Sequence, residues 1–394
     1  MKQYNVMRAL AAICLIGVWW CATACAAVAT PTAQPVAPSA TPPPTEPTAK
    51  VPAQRGTTDT PPATATRVSV VSPPAGDTFA LTPTTVPAIS ASPSPERVSL
   101  QEYAVPRGAR PHDVAPAADG GVWYTAQGAG ALGWLDPRTG ETRQFPLGNG
   151  SAPHGVIVGP DGAPWITDGG LNAIVRVDPA SHAVQRFPLP SNRNANLNTA
   201  TFDQQGALWF TGQSGVYGRL DPPSGKVEVF DAPRGAGPYG IATTPSGDVY
   251  YASLAGSHIA RIDLARRSAT PIDPPTAQQG ARRVWPDSRG RLWVSEWNAG
   301  QVALYDPATN RWREWRLPGP QPQAYAVYVD ERDRVWLTDF GANALVRFDP
   351  SRETFAVFNL PSASASVRQL LGRAGEVWGA ESGADKLVVA RTSR

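Results

Sequence analysis

The 394 residues carry 35 Lys and Arg against 32 Asp and Glu, a formal net charge of +3. Charge that small and that scattered argues against a nucleic-acid or anionic-membrane surface. The three cysteines, Cys14, Cys21 and Cys25, all fall in the first segment, so the rest of the chain has neither a disulfide nor a thiolate metal site.

Lys2 and Arg8 precede an apolar run from Ala9 to Trp20, which has the length of an export-signal core and is short for a spanning helix. Ala22-Thr23-Ala24-Cys25 resembles a bacterial lipobox, which implies a signal segment over 1–25 and lipidation at Cys25. Cleavage after Ala24 or Ala27 with full secretion, or a retained anchor, are the alternatives. Residues 26–96 are rich in Pro, Thr and Ala and almost free of aromatics. Such a stretch buries too little apolar area to offset its ordering entropy, so a disordered, semi-extended stalk is expected.

From residue 97 to 394 one unit recurs. It has a short apolar strand, a Gly/Asp turn, an aromatic anchor among β-formers, a strand ending near Asp-Pro, and a last strand ending in Phe-x-Leu-Pro or similar. The anchors are Trp123, Trp165, Trp209, Tyr250, Trp293, Trp336 and Trp378, at steps of 41 to 44 residues. This period, with strands of 4–7 residues broken by Gly and Pro, predicts an all-β fold: a seven-bladed β-propeller with four antiparallel strands per blade. The seventh unit lacks its outer strand, and VSLQEYAVP (98–106) precedes the first. The N-terminal strand should therefore close the last blade and remove two open sheet edges.

In a blade the first strand lines the channel and the second runs back to the same mouth. Two sets of residues are expected there. Eleven residues before each anchor stand His112, His154, Asn198, Tyr239, Arg282, Tyr325 and Val367. Three after it stand Ala126, Asp168, Gly212, Ser253, Glu296, Asp339 and Glu381. His112 and His154, both Pro-His on adjacent units, are the sharpest feature: neutral imidazoles serve as bases or orient an ester. Asp168 is a candidate for orienting an imidazole or holding a hard cation. Asn198, Tyr239, Arg282 and Tyr325 suit ligand contact.

PHGVIVGPDGAPWITDGGLNAIVRVDP (153–179), LWVSEWNAGQVALYDP (292–307) and VWLTDFGANALVRFDP (335–350) resemble the repeat of virginiamycin B lyase and its streptogramin-lyase-like relatives, with NHL-type repeats as neighbours. The resemblance covers about 98 to 391. It implies a Mg²⁺-dependent elimination that opens a cyclic depsipeptide at its ester, with His112 matching the first histidine, His154 the base and Asp168 the distal acid. Ala152 stands where the resemblance implies a metal-linked Glu, and the pair falls on the first two units where the family has it on the last two. Three functions follow as expectations: a ligand-binding propeller, a lyase of that type, or a gluconolactonase-type hydrolase drawing on Asn198 and the acids. The expected partner is a small-molecule or peptidic ligand at the channel mouth, with no nucleic acid, membrane contact only through the lipid, and a monomeric chain.

Overall fold

Burial grades outward through each repeat. The first and second strands are almost wholly buried, as in Leu208–Gly212, whereas outer strands such as Thr142–Pro146 alternate with solvent. Such a gradient belongs to sheets standing edge-on around an axis, and the chain forms seven four-stranded antiparallel sheets, six of them running in sequence from inner to outer strand. The structure is a computed structural model that describes residues 97–190 and 194–393. The expected signal segment with Cys25 and the stalk over 26–96 lie outside the described residues. Among the described residues no helix is long and apolar enough to cross a membrane.

The anchors work as the repeat implies. Trp209, Trp293, Trp336 and Trp378 are fully buried between sheets. The turn acid of the same hairpin accepts the indole N–H: Asp203 from Trp209 and Asp330 from Trp336, both at 2.8 Å. Gly206, at φ 81, makes the tight turn between them.

Closure is by the N-terminal strand. Arg97–Ala104 pairs with Lys386–Ser393 over eight consecutive residues, completing the seventh sheet. Tyr103 packs on Trp378 and donates to the Pro137 carbonyl at 3.0 Å, tying blade seven to blade one. Glu102 pairs with Lys386 at 2.6 Å, and the Asp385 carboxylate accepts the N–H groups of Gly108 and Arg110.

One position differs from the sequence expectation. The seventh inner hairpin pairs Leu371 with Trp378, seven residues apart, whereas the sixth pairs Tyr328 with Trp336, eight apart. Counting eleven residues back from Trp378 thus lands one residue early. The seventh member of the ring is Arg368; Val367 is buried and pairs with Glu381.

Every inner strand also carries a β-bulge near its start, for instance between Ala281 and Arg283. A bulge inserts one unpaired residue and re-aims its neighbours. Five of the seven are held by a hydroxyl near the end of the second strand; Ala252 and Ala380 take its place in blades four and seven. Thr125 Oγ1 accepts the Asp113 N–H and donates to the His154 carbonyl of the next blade at 2.8 Å. Thr167, Thr211 and Ser295 repeat that bridge to Asn198, Tyr239 and Tyr325.

Candidate functional site

The seven bulges deliver His112, His154, Asn198, Tyr239, Arg282, Tyr325 and Arg368 to one mouth of the channel, where their side chains largely fill it. The His112 and His154 rings touch at a tilt of 43°, with centroids 3.7 Å apart. The Tyr239 and Tyr325 hydroxyls meet at 2.6 Å. Arg282 lies over Tyr325 at 3.6 Å, Tyr239 at 4.4 Å and Trp297 at 5.0 Å, and donates from Nη2 to Tyr239 Oη at 3.0 Å. Arg368 is anchored on Ser382 Oγ at 2.6 Å and reaches Tyr325 Oη. Phe340 stacks on Tyr325. The histidines, Asn198 and both tyrosines are buried; Arg282, Arg368, Trp297 and Phe340 are half-buried at the surface.

The two imidazoles are wired differently. Both nitrogens of His154 are occupied by Asn198, Nδ1 on its carbonyl at 3.1 Å and Nε2 on its side-chain amide at 3.2 Å. Nδ1–H as donor and Nε2 as acceptor satisfy both bonds. His112 Nδ1 lies 2.7 Å from Asp113 Oδ1, and its Nε2 has no hydrogen-bond partner among the described residues. Burial first, then the charges of Arg283, Arg368 and Arg282, hold His112 well below the usual histidine value. Burial and the neighbouring His112 do the same to His154. Both are neutral at pH 7.

Asp113 is the carboxylate of this centre. It binds His112 and also Arg283 Nη2 of the fifth blade at 3.0 Å; burial raises its pKa against the pull of Arg283. Arg283 further donates to Thr199 Oγ1 at 2.7 Å. Tyr325 and Tyr239 share one hydrogen bond in unequal fields. Burial opposes ionisation of both, but three guanidiniums around Tyr325 outweigh it and bring that phenol below its ordinary value.

The acids three residues past each anchor sit elsewhere. Asp168 Oδ1 accepts the N–H groups of Ala152, Gly170 and Leu171, and its Oδ2 takes the Ser151 hydroxyl. Asp339 pins Gln323, Gly341 and Ala342 in the same way. Glu296 and Glu381 are buried at the equivalent strand ends, and burial pushes both up to about 8.

Among the described residues, one group of possible ligands converges: His112, Asp113 and His154, with ligand atoms within 4.8 Å of one another. These donors do not fit magnesium, which takes oxygen ligands in an octahedron. They offer one carboxylate, already bonded to Arg283 and His112, and they sit in the field of three guanidiniums. Glu296, Asp339 and Glu381 do not join that group, and Asn198, which does lie beside it, has its side-chain amide on His154 Nε2, so no Glu, Asn and Asp ligand set of the lactone-hydrolase kind converges among the described residues.

Reading the repeat at one register missed Asp113, Arg283 and Arg368. For Asp113 and Arg283 the bulge was the reason, because it carries two successive residues of each inner strand to the axis; for Arg368 it was the hairpin shorter by one residue. Trp297 and Phe340, directly after the strand-end acids, were visible as aromatics at equivalent positions of adjacent repeats.

A sequence profile of the virginiamycin B lyase family matches residues 92–311. No curated protein matches the chain. Among solved structures, a streptogramin B lyase is 21% identical, with a TM-score of 0.70 over 75% of this chain and 98% of that one. A catalytically inactive variant of virginiamycin B lyase from Staphylococcus aureus, solved with quinupristin, is 20% identical, with a TM-score of 0.70 over 75% and 99%. The extracellular domain of a hybrid two-component system from B. thetaiotaomicron is 16% identical, with a TM-score of 0.60 over 74% and 42%. At these identities the likeness is one of fold.

Proposed function

The chain belongs to the virginiamycin B lyase family, and from that premise we propose that it is an exported propeller that binds a peptidic or depsipeptide ligand at the Arg282 and Arg368 mouth, without magnesium. Arg282 carries the reading. Its guanidinium is framed by three aromatic rings and is partly open to solvent, and its Nε–H has no acceptor among the described residues. A guanidinium so held presents planar donors to a carbonyl or carboxylate, while Trp297 and Phe340 offer faces for an apolar side chain. Export rests on the Lys2 to Cys25 segment, and the extracellular neighbour is in keeping with it.

A second reading has its own support. Asp113 accepts the Nδ1–H of His112 and so leaves the basic lone pair on Nε2. In a lyase of this family type, His112 rather than His154 would remove the proton as the ester C–O bond breaks, because both nitrogens of His154 are committed to Asn198.

The test uses the full-length chain with quinupristin and with its hydrolysed linear form, which carries a free carboxylate. Tryptophan fluorescence reports binding and chromatography with mass spectrometry reports the ring. Saturable binding of an intact ligand, at least tenfold weaker in Arg282→Ala, is expected. Ring opening that disappears in His112→Gln would establish the second reading. Saturation with neither probe would overturn the first.

A further inference from the structure

Behind the residues that fill the histidine mouth, the channel opens again toward the opposite face as a cavity of ≈ 420 Å³, within the roughly 300–1,000 Å³ typical of small-ligand sites. None of the seven ring residues lines it. Its walls are the later parts of the inner strands, among them Val156, Ile157, Phe202, Trp285, Leu370 and Leu371. Its inner end is polar: Asp113, Thr199, Arg283 and Gln369.

Two donors at that end are unmet. Arg283 is 5% exposed; its Nη groups serve Asp113 and Thr199, but its Nε–H has no acceptor among the described residues. Gln369 is 6% exposed; its Oε1 accepts the Val114 N–H at 2.9 Å, while its amide N–H group has no partner among the described residues. A buried donor left without an acceptor, as at Arg283 Nε–H, is costly, and together with the unpaired Gln369 amide at the closed end of an apolar funnel it is what an acceptor head on an apolar body would satisfy. Charge selects the head. Among the described residues, Asp113 is the one carboxylate lining this end, against Arg283 beside it and the field of Arg282 and Arg368, which reaches His112 next door.

We propose that this opposite mouth is a second binding site, for a small apolar monocarboxylate whose oxygens accept from Arg283 and Gln369 and whose body lies against Trp285, Leu370 and Leu371. It is separate from the Arg282 mouth and does not depend on the ligand bound there.

Isothermal titration of the full-length chain with sodium octanoate tests it, with 1-octanol and octylamine as head-group controls. Saturable 1:1 binding of octanoate is expected, with both controls at least tenfold weaker. Gln369→Glu keeps an oxygen for the Val114 N–H but replaces the free donor with an acceptor, and should weaken octanoate at least tenfold. Leu371→Trp should block the funnel and abolish the signal, with circular dichroism confirming that each variant is folded. Absence of saturation, octanol binding as tightly as octanoate, or unchanged octanoate affinity in folded Gln369→Glu would each overturn the proposal.

Discussion

Asp113 of the first blade and Arg283 of the fifth meet across the channel, carboxylate to guanidinium at 3.0 Å, 170 positions apart in the chain. Both are buried, so each charge depends on the other. Asp113→Asn leaves Arg283 uncompensated and should cost about 3–5 kcal/mol in urea unfolding. Replacing both, as Asp113→Leu with Arg283→Met, should recover most of that loss. A double variant no more stable than the single one would show that the pair's worth lies in its other bonds.

The hydroxyl latches predict a smaller, local effect. Thr211 accepts the Thr199 N–H and donates to the Tyr239 carbonyl of the next blade. Thr211→Val matches its shape and strands both partners, at about 1–3 kcal/mol. Denaturant midpoints measure it, and Ala252, which holds the equivalent place in blade four, shows that the ring accommodates a missing latch.

Glu296 and Glu381 set a pH dependence. Burial, helped at Glu381 by the charge of Glu102, raises their pKa from 4.5 to about 8. The folded state therefore keeps protons that the unfolded chain releases above about pH 4.5. Their stabilisation is complete below that pH and is lost as pH rises through about 8. Glu296→Gln and Glu381→Gln should match the parent near pH 4.5 and exceed it at pH 9 by ~1–3 kcal/mol each. Melting temperatures at the two pH values decide it.

The histidine pair runs the other way. His112 and His154 are held below 6.5, so the unfolded chain binds protons first as pH falls. Their contribution is present above about pH 6.5 and is lost as pH drops toward the folded values. The slope is at most about 1.4 kcal/mol per pH unit for each ring. His154→Gln should flatten the fall in urea midpoint between pH 6.5 and 5. An unchanged slope would mean that the rings take up protons in the folded state.

Closure rests on a few contacts in the N-terminal strand. Tyr103 is buried against Trp378 and bonds to Pro137. Tyr103→Ala should cost about 3–5 kcal/mol, as for other large aromatic truncations, and should lower the cooperativity of thermal unfolding measured by calorimetry.

The fold was legible because its signals repeat: seven aromatic anchors at nearly even spacing, turn glycines, and a strand left over before the first unit to match the one missing from the last. The site was legible in part. His112 and His154 do come together, with Tyr239, Arg282 and Tyr325 beside them, because equivalent positions in a ring share one axis. Arg283, Asp113 and Gln369 were hidden by the bulge, which sends a second residue of each blade inward where strict alternation would turn it away. Arg368 was hidden by a hairpin one residue shorter than the rest. The strand-end acids read equally well as ligands or as loop pins, since a carboxylate at a turn suits both. Only the bonds of Asp168 to Ser151, Ala152, Gly170 and Leu171 show what it holds.

The strand that closes the ring is among the first parts of the body to be synthesised, and its partner, Lys386–Ser393, is the last. Six blades can pair from neighbouring residues as they appear, but the seventh must bring together positions nearly 300 residues apart, against the loop-closure entropy of the whole body. A nascent chain halted before residue 386 would thus have an incomplete circle and an exposed edge at each end. Completion waits for the body's last strand, so a product truncated before it announces itself as an unclosed, sticky arc.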